Sequence, residues 1–188
     1  MNVEEKFEEA DEAYNNYSYE KAFSLYKELS NVGYEQCYTL LGWFYLTGKG
    51  TNKSYIEAEK WLSLASESGN LEGKFYLAKL YWQQNKPGKV LALLDHCIND
   101  NYIPAIYRLA EFYEGGIIVD VDLDKAADLY ERSMKYGHIF GENRYGRFLI
   151  RGRKGLSNIP RGFFYYVRSL FKLLSTASRD PHADSLKT

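Results

Sequence analysis

A small residue returns along this chain at near-regular intervals, and that spacing constrains the fold more than any other feature. Ala10, Gly42, Ala78, Ala110 and Gly146 stand 32, 36, 32 and 36 residues apart. Leu41, Leu77, Leu109 and Tyr145 precede the later four, and Tyr45, Tyr81, Tyr113 and Leu149 follow them three residues on. A period of this length belongs to a supersecondary unit that buries its apolar face only by stacking on copies of itself. Stacked helix pairs build binding surfaces more often than catalytic centres.

A second set of small positions lies downstream of the first: Ala22, Ala58, Val90, Ala126 and Gly162. A small side chain there lets two helix backbones approach closely, and Val90 is the loosest fit. Segments 36–69 and 104–137 align without a gap at a constant shift of 68. Leu41-Gly42, Phe44 and Tyr45 fall on Leu109-Ala110, Phe112 and Tyr113. Ala58, Trp61 and Gly69 fall on Ala126, Leu129 and Gly137.

This pattern of LG-x-x-Y, then A-x-x-W, then a closing glycine resembles the Sel1-like repeats, and Asn16-Tyr17-Ser18-Tyr19-Glu20-Lys21-Ala22 resembles the inter-helix turn of a tetratricopeptide repeat. The resemblance covers about residues 5–175 and implies an all-α fold, an α-solenoid (superhelix) of about five antiparallel helix pairs. Two positions depart from it. Gln84 and the turn Asn85-Lys86-Pro87-Gly88 replace the usual inter-helix glycines, and Leu149 stands where the tyrosine recurs.

Helices are expected near 3–15, 18–31, 34–46, 55–67, 71–84, 88–99, 104–114, 123–136, 141–150 and 161–176. Ser18 is placed as an N-cap and Pro160 at the start of the last helix. Gly69, Asn101 and Gly137 are placed as left-handed helix ends. One elongated repeat domain is expected over 1–179, followed by a disordered tail over 180–188.

A hydrophobic fraction of 45% with only four prolines suits an all-helical chain. The chain has no run of about 18 uncharged apolar residues, and its opening, Met1-Asn2-Val3-Glu4-Glu5-Lys6, lacks the basic-then-apolar order of a signal peptide. A cytoplasmic location is the expectation. Cys37 and Cys97 occupy non-equivalent repeat positions and are expected as buried free thiols without chemistry.

Motifs that could carry chemistry are weak. Gly48-Lys49-Gly50-Thr51 follows a helix, lacks the spacing of a phosphate loop and sits where a Sel1-like repeat places its inter-helix glycines. His96, His138 and His182 are scattered, with no metal-ligand spacing. Asp120, Asp122 and Asp124 lack the glycine and terminal glutamate of a calcium loop and read as a helix-capping loop. No catalytic residue, metal or cofactor is assigned, and the expected class is not an enzyme.

The resemblance implies that first helices line a concave surface, with groove-facing side chains one, four and five after the small residue and three or six before it. Counting selects Gln36, Thr39, Trp43, Leu46 and Thr47, then Glu72, Phe75, Lys79, Trp82 and Gln83. It selects Tyr107, Glu111 and Glu114 in the next repeat, and Phe140, Asn143, Arg147, Ile150 and Arg151 in the last. Thr39, Trp43, Phe75, Lys79, Trp82, Tyr107, Glu111, Asn143 and Arg147 form the candidate partner-binding set, since aromatics with a few charges anchor protein partners. The competing reading is that these rings fill a tightly curved solenoid. The functional expectation is a non-catalytic scaffold or adaptor holding a protein or peptide partner.

Charge is unevenly placed. Residues 1–33 hold eight acidic and three basic side chains, and residues 139–188 hold three acidic and ten basic. Arg151, Arg153, Lys154 and Arg161 mark a basic end. Next to it, 162–174 is apolar nearly all round and needs a cover. A homodimer through this helix is one cover, and an anionic membrane surface is another. The second gives an alternative function, an accessory or regulatory subunit at a membrane-surface assembly such as envelope or polysaccharide machinery. Nucleic acid is disfavoured, because the net charge is −1 and no nucleic-acid motif is present.

Overall fold

The computed structural model describes residues 2–179, and among them it contains α-helices and two short 3-10 turns but no strand. The expected tail over 180–188 lies outside the described residues. The chain divides into two compact units, one ending at Asp100 and the other beginning at Asn101. The first contains α1 (Val3–Asn15), α2 (Tyr19–Asn31), α3 (Tyr38–Thr47), α4 (Tyr55–Glu67), α5 (Leu71–Gln83) and α6 (Pro87–Asn99). The second contains α7 (Ile103–Gly115), α8 (Leu123–Lys135), α9 (Ile139–Ile150) and α10 (Ile159–Arg179).

In the first unit α1 packs on α2, α3 on α4 and α5 on α6, with α3 also touching α5. In the second, α7 packs on α8, α8 on α9 and α9 on α10. The periodic small residues make these crossings. Ala10, Ala22, Ala58 and Ala78 are buried in the first unit, and Ala110, Ala126, Gly146 and Gly162 in the second. A β-carbon added to Gly42 would lie 2.5 Å from Leu62 Cγ, so only hydrogen fits where α3 crosses α4. The fold class is therefore all-α, an α-solenoid arrangement of helix pairs.

Tyrosines tie several helices together from within. Tyr26 donates its hydroxyl to Asp11, Tyr130 donates to Glu114 at 2.7 Å, and Tyr81 donates to Glu59 at 3.0 Å. Burial, with the adjoining carboxylate second, raises the Tyr26 and Tyr130 hydroxyls above their ordinary range and pushes Tyr81 up to about 12.

Helix ends follow the sequence with local differences. Gly69, Gly137 and Asn101 have φ of 86°, 88° and 57°, the left-handed conformation expected of them. Asn85 joins them at 55° and closes α5 where the glycines are missing. Pro87, one residue before the expected start, opens α6 because its fixed φ suits a first turn. Ser18 holds the N-cap position of α2, but its side chain makes no capping hydrogen bond. A 3-10 turn at Glu35–Cys37 precedes α3, and another at Leu156–Asn158 precedes α10, with Pro160 in the first turn of the final helix.

The repeat shift of 68 pairs two N-caps of different chemistry. Asn70 Oδ1 accepts from the Gly73 amide at 2.8 Å, and His138 Nδ1 accepts from the Gly141 amide at 3.1 Å. Accepting requires a neutral imidazole nitrogen, and burial lowers the His138 pKa from its ordinary 6.5. The unfolded chain then takes up a proton before the folded one does. This contribution is complete above 6.5 and shrinks as pH falls from there through the lowered value. His138→Asn keeps the cap and removes the titration. Its melting temperature should match the parent near about pH 7.5 and exceed it near about pH 5, read by far-ultraviolet circular dichroism.

Candidate functional site

Within the first unit, side chains from α1, α3 and α5 meet on one face. Trp43 of α3 is half-buried, its ring 5.6 Å from Tyr14 of α1 and 6.3 Å from Tyr19 at the head of α2. Lys49 closes over the same rings, its Nζ 5.3 Å from Trp43 and 5.2 Å from Tyr19, a cation held by two π faces. Its loop sits close against α2, since a β-carbon on Gly50 would meet the Tyr19 carbonyl oxygen at 2.4 Å. The Gly48-Lys49-Gly50-Thr51 segment is thus a packed inter-helix turn.

Glu72 and Tyr76 of α5 extend this face. Glu72 is exposed at its edge, yet desolvation raises its carboxyl above the ordinary range. Desolvation first and the Glu72 charge next push Tyr76 up to about 12. Burial, Tyr19 and Glu72, in that order, raise Tyr14. Lys79 lies with its Nζ 5.4 Å from the Tyr76 ring. Trp82 is 37% exposed, whereas Phe75 is buried beneath, its ring 6.3 Å from Tyr76. Thr39 is also buried and faces Gly73, where an added β-carbon would stand 3.1 Å from Thr39 Oγ1.

Tyr14 and Tyr76 are members of this face that the sequence count did not select. Tyr14 lies four residues after Ala10, so the same count extended to α1 reaches it. Tyr76 lies two before Ala78, a position the count does not include.

In the second unit, the Tyr107 ring lies tilted 4.5 Å from the His138 ring and 5.5 Å from Tyr130. Arg144 of α9 hydrogen-bonds Tyr107 and lies 3.7 Å from Glu114, whose carboxylate also receives the Tyr130 hydroxyl. Glu111 pairs with Arg108 at 2.8 Å. Asn143 donates to Ser169 Oγ at 3.0 Å and so faces α10, while Arg147 is exposed. At the basic end, Arg151 and Arg153 are exposed, Lys154 pairs with Asp128 at 2.8 Å, and Arg161 donates to the Tyr165 hydroxyl at 2.8 Å.

Two further features bear on chemistry. Cys37 and Cys97 are free and buried, and burial pushes their thiols up to about 12 and about 11, which suppresses the thiolate a nucleophile needs. Asp122 caps α8 by accepting from the Lys125 amide at 2.9 Å, and that backbone hydrogen bond lowers its carboxyl. Among the described residues there is no group of three or more His, Cys, Asp or Glu able to hold a metal, and no helix is long and apolar enough to cross a membrane.

Paired helices with small residues at each crossing and polar-aromatic outer faces define a helical repeat protein. The Sel1 repeat family model matches residues 36–70 and 103–135, nearly the two segments related by the 68-residue shift. These two segments are Sel1 repeats, and the chain as a whole has the fold of Sel1-like repeat proteins. No curated protein matches it in sequence.

Among solved structures it is similar to a Sel1 repeat protein from Oxalobacter formigenes, at 21% identity and a TM-score of 0.75, over 88% of this chain and 69% of that one. It also resembles MamA, at 18% identity and TM-score 0.56, covering 90% of this chain and 96% of that one. A third similar structure is the TPR-like repeat of a putative kinesin light chain from Podosopora anserina, at 12% identity and TM-score 0.58, covering 91% and 96%. These likenesses establish the fold. Repeats of this kind are generally protein-interaction scaffolds and are typically non-catalytic.

Proposed function

We propose that this chain is an adaptor that captures a protein or peptide segment on the first-helix face of its first unit. The observation that carries this reading is the grouping of Tyr14, Trp43, Glu72 and Tyr76 from three successive first helices. Half-buried aromatic rings lose little side-chain entropy when a partner covers them, so they supply contact area at low cost. Glu72 adds a partly desolvated carboxylate, which favours a partner carrying a cation beside an apolar side chain. Lys49 already occupies the Tyr19 and Trp43 rings, so the incoming segment is expected to lie toward Tyr76 and Trp82. Lys79, over Tyr76, sets the opposite charge of that edge.

The second unit offers a smaller counterpart around Tyr107 and Glu111, with Arg144 and Glu114 holding Tyr107 in place. The adaptor reading assigns no chemistry to either face.

The test compares proteins retained from the native host by the immobilised full chain and by a Glu72→Lys, Trp82→Ala variant. Both substitutions lie at exposed positions, so circular dichroism should be unchanged. A specific partner should be retained about tenfold less by the variant. Equal recovery of the same proteins by both would overturn the assignment of this face.

A further inference from the structure

α10 is amphipathic in the opposite sense to a helix that closes a soluble repeat. Its packed side, against α9, is made of Gly162, Tyr165 and Ser169, together with Arg168 and Lys172, which both donate to Glu142 of α9. Glu142 is only 2% exposed, so this ion cluster fixes which side of α10 turns inward. The outward side carries Phe163, Phe164, Val167, Leu170, Phe171 and Leu174, and all six are exposed. Their spacing of i, i+1, i+4, i+7, i+8 and i+11 draws one continuous apolar stripe. Phe171 and Leu174 are each 68% exposed. The inner faces of the other helices bury such side chains, and this one displays them.

The surroundings of the stripe indicate what covers it. From Asn143 to Arg179 the sequence holds seven arginines and two lysines and no aspartate or glutamate. Arg161 and Arg168 flank the stripe along one side, and Arg151 and Arg153 stand exposed in the connection before α10. A second copy is a poor cover. Two α10 helices paired antiparallel about a two-fold axis would set the Arg161 and Arg168 flank of one against the same flank of the other. The stripe is about 17 Å long at 1.5 Å per residue and one helix wide, well short of the roughly 800 Å2 per partner of a stable interface. A helix with a broad aromatic stripe and cations beside it, its Glu142 partner buried on the packed side, matches one that lies in the plane of an anionic bilayer, rings in the acyl boundary and guanidinium groups among the headgroups.

We infer that the outward stripe of α10 docks the protein on an anionic lipid surface, as a peripheral contact and not a span. This surface is independent of the face proposed for partner capture, and either can fail without the other. Membrane docking through α10 and capture through the first unit would make the chain a tether for a protein partner at a bilayer.

The full chain should be sedimented with vesicles of phosphatidylcholine alone and of phosphatidylcholine mixed with phosphatidylglycerol. Pelleting is expected with the mixed vesicles only, and raised salt should weaken it severalfold. Phe171→Asp and Leu174→Asp, both at exposed positions with the helix preserved by circular dichroism, should each reduce the bound fraction about tenfold or more. Trp82→Ala should leave it unchanged. Failure to pellet, equal pelleting with phosphatidylcholine alone, or binding indifferent to Phe171→Asp would overturn the inference. Light scattering that finds a dimer abolished by Phe171→Asp, without pelleting, would give the stripe to a second copy instead.

Discussion

Gly162→Leu is expected to detach α10 from α9 and to be the most damaging single substitution in the second unit. A β-carbon at this position would lie 2.7 Å from Leu149 Cβ and 2.8 Å from both the Gly146 carbonyl oxygen and the Ile150 amide nitrogen. Two of these three are backbone atoms, which cannot turn aside as a side chain does. The opposing Gly146 is equally confined, because a β-carbon there would stand 2.8 Å from the Tyr166 nitrogen. The two glycines therefore let the helix axes approach until only hydrogens separate them, and a leucine must push the axes apart. Overpacking a well-formed core costs about 1–3 kcal/mol, and a clash with backbone belongs at or above the top of that range.

The measurement is the urea midpoint by circular dichroism together with amide exchange along α9 and α10, both of which should show loss. Gly88→Ala serves as the control, since nothing lies within 4 Å of its β-carbon position. It should be neutral or mildly stabilising. A Gly162→Leu protein within about 0.5 kcal/mol of the parent would refute the close crossing.

Removing both cations that face Glu142 should cost more than removing Glu142 itself. Arg168 and Lys172 have side chains 42% and 44% exposed, whereas the Glu142 side chain is 2% exposed. In Glu142→Gln, the two cations swing to water and keep their solvation. In the Arg168→Ala, Lys172→Ala double variant, the carboxylate stays enclosed by α10 without a partner. Breaking a buried pair from that side costs about 3–5 kcal/mol when both groups are fully enclosed. Partial solvation of the cations reduces the expectation here to about 2–3 kcal/mol. Denaturation of the two variants side by side tests the asymmetry, and a Glu142→Gln protein less stable than the double variant would reverse the account.

The same cluster explains where sequence reasoning stopped. The small residues could be placed from sequence because each crossing demands the same thing, a side chain too small to hold backbones apart, and that demand repeats with the unit. Counting from Gly42 and Ala78 reached Trp43, Glu72 and Trp82, and the same count from Ala10 reaches Tyr14. It could not reach Tyr76, nor could it tell that Phe75 and Thr39 turn inward, because half a helical turn separates the rim of such a face from its floor.

The run from Gly162 to Leu174 looked apolar on nearly every side, so its sequence did not say which side faces inward. That choice depends on Glu142, twenty residues earlier, whose carboxylate draws Arg168 and Lys172 toward α9. The cap at His138 was hidden for a different reason. Imidazole is an uncommon cap, and only its pairing with Asn70 across the repeat reveals the role.

All three tryptophans, Trp43, Trp61 and Trp82, belong to the first unit. Tryptophan emission, excited at the red edge where tyrosine does not absorb, therefore originates in the first unit alone. A ligand settling near Trp43 or Trp82 announces itself optically without any label, whereas α10 carries no tryptophan and events along it are followed by a dye or by mass.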